Sequence, residues 1–114
     1  AVQSYGPGRV VINGELLARN LVLTPERIIR DWRPSDFADL TDHDFAELAR
    51  LEPEILLLGT GRRQRFPVPE IYLELIRRGI GLEIMDTGAA CRTYNILMSE
   101  RRRVGAALLM IEED

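Results

Sequence analysis

Two short stretches combine residue types that could hold or transform a ligand. In the first, Ile55-Leu56-Leu57-Leu58-Gly59-Thr60-Gly61-Arg62-Arg63-Gln64-Arg65, an apolar run passes into a glycine turn rich in arginine. The backbone N–H groups of such a turn can cradle an anion, and arginine adds charge-assisted, bidentate donors. The second, Asp86-Thr87-Gly88-Ala89-Ala90-Cys91, repeats the pattern after the strand signal 80–85. Asp86 could serve there as a general base or as the ion-pair partner of Arg62 or Arg92, Thr87 could cap a helix, and the small residues admit a ligand or another backbone. If neighbouring parallel strands end in these two turns, both face one crevice. That makes Gly59, Thr60, Gly61, Arg62, Asp86 and Thr87 candidate ligand-binding residues. The competing reading is a pair of tight strand-to-helix connections with solvated arginines.

Familiar reaction signatures are incomplete. A dinucleotide fingerprint needs a third glycine where Gln64 stands, and Phe66-Pro67 delays the helix, so a pyrophosphate would not meet its dipole. No Gly-Lys-Ser/Thr follows to make a nucleotide-binding loop, and no Gly-x-Ser-x-Gly elbow accompanies His43, the single histidine. Cys91 lies about one turn into a helix, where the dipole could lower its pKa, but no histidine is near in sequence; the better reading is a buried structural thiol. Asp36, Asp39, Asp42, His43 and Asp44 have neither calcium-loop spacing nor a second histidine at i+4. No metal and no cofactor are expected, and no catalytic residue is assigned.

The elements that must position the two turns follow from periodicity. Asn13-Gly14 between the apolar runs 9–12 and 16–24 marks a β-hairpin, because both residues tolerate positive φ. The stretch 26–33 reads as a further strand, with a short helix as the alternative. Thr41 followed by Asp44 caps an amphipathic helix running to about Leu51. Strand 54–59 follows, then a helix over 70–78 with Ile71, Leu75 and Ile76 on one face and Gly79 as its stop. Next come strand 80–85, a helix from 89 to about 100, on which Tyr94 faces the sheet and Asn95, beside Cys91, reaches the cleft mouth, a last strand 103–111 and a solvated tail 112–114. The order α-β-α-β-α-β from residue 41 predicts three mostly parallel strands with right-handed crossovers, preceded by a hairpin layer.

Composition narrows the class. The 114 residues fit one domain, 1–114, and 46% apolar with 29% charged content is ordinary for a folded protein. Eighteen acids against fifteen bases, all arginine, give a net charge of -3, which argues against a nucleic-acid partner. One cysteine points to a reducing compartment, and no apolar run reaches the length of a membrane span, so a cytoplasmic protein without an integral membrane segment is expected.

Several segments together resemble a known family. They are Tyr5-Gly6-Pro7-Gly8-Arg9 with the Asn13-Gly14 hairpin, Trp32, Pro53-Glu54-Ile55 through Gly61, Phe66-Pro67, and Met85-Asp86-Thr87-Gly88-Ala89-Ala90-Cys91-Arg92-Thr93-Tyr94-Asn95-Ile96-Leu97. Over nearly the whole chain they resemble the Mth938-like domain family of uncharacterised function, which includes a mitochondrial assembly factor for respiratory complex I. The resemblance implies a three-layer α/β domain with a mixed, largely parallel central sheet and a cavity lined from the two segments. The matching cleft positions are Gly59, Thr60, Gly61, Arg62, Asp86, Thr87, Thr93 and Asn95. Two functions from different classes follow. One is a non-enzymatic binding or assembly module with a protein partner or a second copy. The other is a small-molecule site, enzymatic or not, that takes an anion at the arginines.

Overall fold

The computed structural model describes residues 1–113. Three antiparallel strands, β1 (Val2–Gly6), β2 (Arg9–Ile12) and β3 (Glu15–Leu17), form one sheet. The turn between β2 and β3 is the expected one, with Asn13 at φ 50° and Gly14 at φ 83°. The apolar run 16–24 does not continue as one strand. It breaks at Ala18-Arg19-Asn20, and β4 (Leu21–Leu23) joins a second sheet. Asn20 makes the break possible: its Nδ2 donates to Pro34 O at 2.8 Å, and its Oδ1 accepts from Met110 N at 2.7 Å. One amide thus satisfies backbone groups of two other segments where the chain changes sheets.

The second sheet has five strands in the order β5-β4-β8-β6-β7, where β5 is Ile28–Ile29, β6 Ile55–Thr60, β7 Gly81–Met85 and β8 Val104–Leu109. Strands β8, β6 and β7 are parallel, β4 runs antiparallel to β8, and β5 antiparallel to β4. The strand expected over 26–33 shrinks to two residues; beyond it the register with β4 is lost, and Trp32 N donates to Asn20 O, one residue out of the Val22–Ile29 pairing.

The unbroken apolar run of β6 has the expected cause, burial on both faces. Leu57 packs with Ala106, Leu108, Ala90, Cys91, Tyr94 and the hairpin residues Val10 and Ile12 on one side. Leu56 and Leu58 meet Phe45, Leu48, Leu75 and Ala107 on the other. The layers are therefore the β1–β3 sheet with helix α3 (Thr87–Ser99), the mixed sheet, and helices α1 (Asp42–Ala49) and α2 (Leu73–Arg77).

Two helices depart from expectation. Residues 70–78 do not form one α-helix: a 3-10 turn over Pro69–Tyr72 precedes α2, which shifts its phase. Leu75 is buried while Ile76 is exposed, so the two do not share the core face. Helix α3 begins at Thr87, with Asp86 rather than Thr87 as its cap: the Asp86 carboxylate accepts from Ala89 N at 2.8 Å.

Helix α1 opens with the expected Thr41/Asp44 capping box. Asp44 is nearly fully buried, and its second task is to hold Arg33 in a fork, with Nε–Oδ1 and Nη2–Oδ2 both 2.8 Å. Burial alone would raise its carboxyl; the Arg33 guanidinium and the Thr41 N–H and O–H more than offset this and hold it below its ordinary value. A carboxyl held low contributes stability that is complete above its unfolded pKa and lost as pH falls through the folded one. Asp44→Ala is expected to cost about 1–3 kcal/mol at neutral pH, since Arg33 is half exposed and partly recovers water. Urea midpoints measured from pH 7 down to about 3 should fall less steeply for Asp44→Asn than for the parent chain. Parallel pH slopes would refute this role.

Candidate functional site

Gly59 pairs with Met85 in the parallel β6–β7 ladder, so the two glycine corners lie side by side at the carboxyl ends of adjacent strands. The chain leaves them toward opposite faces, one to α2 and the other into α3. That divergence is the topological switch at which α/β sheets commonly hold ligands.

Here the space is taken by Thr87. Its N–H donates to Gly61 O at 2.8 Å, its Oγ1 accepts from Gly61 N at 2.8 Å, and the same hydroxyl donates to Leu109 O at 2.6 Å. A Cβ at position 59 would lie 2.9 Å from Thr87 Oγ1 and 3.0 Å from its Cα, which explains why only glycine fits there. Thr60 is equally committed. Its buried hydroxyl donates to Arg63 O at 2.6 Å, with Met85 O a second acceptor at 3.2 Å, and it accepts from Arg65 N at 3.1 Å, closing the arginine loop.

The other sequence candidates divide. Asp86 caps α3, as described. Asn95 points at β1, not at the corners: its amide exchanges two hydrogen bonds with the Val2 backbone, at 2.8 and 2.7 Å, as a neighbouring strand would. Thr93 is half-buried on α3 and makes no side-chain hydrogen bond among the described residues. Arg62 is exposed, and its N–H donates to Glu112 Oε1 at 3.0 Å. Gly61, at φ 95°, sits directly beneath that Glu112 carboxylate. Glu112 and Glu113 are exposed, as expected for a solvated tail, though Glu112 also accepts from the arginine loop; position 114 lies outside the described residues.

A cavity of about 420 Å³ opens beside the corners, at the carboxyl ends of β6 and β8. Thr60, Arg65, Leu109, Ile111 and Glu112 line it from the sheet, and Asn20 and Ser35 to Ala38 from the opposite wall. Sequence reasoning missed that wall. Residues 20 and 35–38 are far from the corners along the chain, and the Asn20 crossing and the Arg33 fork on Asp44 bring them there.

Cys91 is buried, and its thiol is pushed up to about 11, chiefly by burial, with Arg92 opposing the rise and Asp86 adding to it. Any dipole effect on it is outweighed. Tyr94, also buried, is pushed up to about 12 by burial and by the charge of Glu26. Asp39 and Asp44 both engage Arg33, and among the described residues no group of three His, Cys, Asp or Glu side chains could hold a metal ion. Exposed apolar side chains follow the arginine loop: Phe66 at 67%, Val68 at 60%, Leu73 at 41% and Ile76 at 57% exposure.

A mixed five-stranded sheet between an antiparallel three-stranded sheet and two short helices is the architecture of Mth938-like domains. A Bordetella pertussis protein described as a Mth938-like domain matches with TM-score 0.86 and 35% identity, over 100% of this chain and 87% of that one. A Bordetella parapertussis crystal structure matches with TM-score 0.90 and 43% identity, over 96% and 94%. The profile of the family described as "Protein of unknown function (DUF498/DUF598)" matches residues 2–109, and the chain belongs to that family. It is also 34% identical over 110 residues to the Bos taurus NADH dehydrogenase (ubiquinone) 1 alpha subcomplex assembly factor 3. The match takes in 95% of this chain but 59% of that relative, so the chain spans about three-fifths of its length.

Two outcomes follow from this geometry. Thr87→Val keeps the shape but leaves Gly61 N and Leu109 O without their hydroxyl partner; it is expected to lower stability by roughly 2–4 kcal/mol in urea unfolding, with Thr87→Ser closer to the parent. An unchanged valine variant would contradict the clamp. Cys91 should resist thiol reagents at pH 8 in the folded protein and react only after denaturation, because it is both buried and protonated. Fast labelling of native protein would contradict its burial.

Proposed function

We propose that the domain is a non-catalytic protein-binding module acting in the assembly of a larger complex, and that it meets its partner through the exposed apolar segment from Phe66 to Ile76. The supporting observation is a division of labour. Thr60, Asp86, Thr87 and Asn95 are each spent on this chain's own backbone, while Phe66, Val68 and Ile76 stand in solvent. Large apolar groups exposed close together in one segment are typical of contact surfaces. Kinship with a protein named as an NADH dehydrogenase 1 alpha subcomplex assembly factor favours the same reading. A cytoplasmic setting belongs to this proposal and is supported by the single buried, unpaired thiol. Among the described residues no helix is long and apolar enough to cross a membrane.

The test is in-cell crosslinking of the tagged chain in its own source, with captured proteins quantified by mass spectrometry. A Phe66→Ser/Ile76→Ser variant, shown folded by its thermal transition, is expected to lose the main partner at least about tenfold. Arg62→Ala and Asp86→Ala should retain it. Loss through the corner variants alone would overturn the proposal and favour a ligand-dependent function.

A further inference from the structure

The cavity at the carboxyl ends of β6 and β8 plays no part in the protein contact proposed above, and its lining has its own chemistry. Its volume of about 420 Å³ falls in the range of small-molecule sites. The apolar part of the lining is Phe37, Ala38, Leu109, Met110 and Ile111. The Arg65 guanidinium lies 4.6 Å from the centroid of the Phe37 ring. Among the described residues it has no hydrogen-bond acceptor and no ion-pair partner, so stacking orients the fork while its donors stay open.

Two carboxylates share the lining, each with one oxygen already engaged: Asp36 Oδ1 accepts from Asp39 N at 3.1 Å, and Glu112 Oε1 from Arg62 N. Among the described residues, their second oxygens have no donor and remain as acceptors. The Thr60 and Asn20 side chains are engaged with backbone groups, and the Ser35 hydroxyl donates to Asp39 Oδ2 at 3.3 Å. Among the described residues, the charged groups the lining leaves open are therefore one planar cation and two carboxylate oxygens, around an apolar surface. A phosphate or other polyanion would gain Arg65 but face both carboxylates, and a simple amine would face Arg65. A molecule carrying a carboxylate, an ammonium and a hydrocarbon part satisfies all three features.

We propose that this cavity binds a free apolar amino acid, its carboxylate paired with Arg65, its ammonium with Asp36 or Glu112, and its side chain against Phe37, Leu109 and Ile111. The experiment is a titration of the isotope-labelled full chain, followed by amide chemical shifts. L-leucine and L-phenylalanine are the probes, with isovalerate, isopentylamine and inorganic phosphate as partial mimics. One of the amino acids is expected to give saturable shifts at Phe37, Arg65 and Ile111, with each mimic at least about tenfold weaker because it lacks a charged contact. Arg65→Gln should abolish the saturable shifts while its spectrum otherwise overlays the parent, separating lost binding from lost fold. Absence of saturable shifts with both amino acids up to about 10 mM, a weaker affinity than such a pocket should give, would overturn the proposal. So would unchanged affinity in Arg65→Gln, or phosphate or a single-charge mimic binding as well as the amino acids. These outcomes do not depend on Phe66 and Ile76, so this proposal and the protein-contact proposal can fail separately.

Discussion

The hydroxyl of Thr87 joins three parallel strands at their carboxyl ends, and much else follows from it. Parallel strands are held along their length by the ladder, but beyond the last ladder bond the chain must leave in different directions with its polar groups paired. Thr87 meets that requirement for Gly61 and Leu109 at once, in a fully buried position. The consequence is geometric. The crevice that divergent crossovers usually leave open is filled by a side chain of the protein itself, and Gly59 must lack a Cβ for the contact to form.

Closing that crevice moves the accessible hollow to the other flank of β6. There the wall opposite the sheet is built by residues 35–38, held in place through Asn20 and through the Arg33 fork on Asp44. The buried Asp44 carboxylate therefore serves two scales: it caps α1, and it anchors the irregular segment that faces the sheet ends. The arginine loop is divided by the same closure. Thr60 fixes its backbone, Arg65 turns onto Phe37, and the chain emerges as an exposed apolar segment before α2.

Most of the architecture was legible in the residues. The unalternating leucines of β6, the Asn13-Gly14 turn, the Thr41/Asp44 capping box and the Gly79 stop each carry a local physical cause that survives folding. Where the reading departed, a distant contact had intervened. The run 16–24 contains nothing in its own pattern to show that it serves two sheets; Asn20 reveals this only once Pro34 and Met110 are beside it. Ile76 carried the right spacing for the core, but a 3-10 turn ahead of it changed the phase.

Local chemistry thus set the strands, caps, turns and their order, because propensity, positive φ and burial on two faces are properties of short stretches. The sequence posed the two corners as neighbours conditionally, since alternating strands and helices allow few connections, and the β6–β7 ladder makes them so. Whether a polar side chain at those corners meets a ligand or its own backbone was settled only by tertiary structure. A hydroxyl or an amide has the same donors and acceptors in either role, and its partners at Leu109, Gly61 and Val2 are brought within hydrogen-bonding reach only when the layers close.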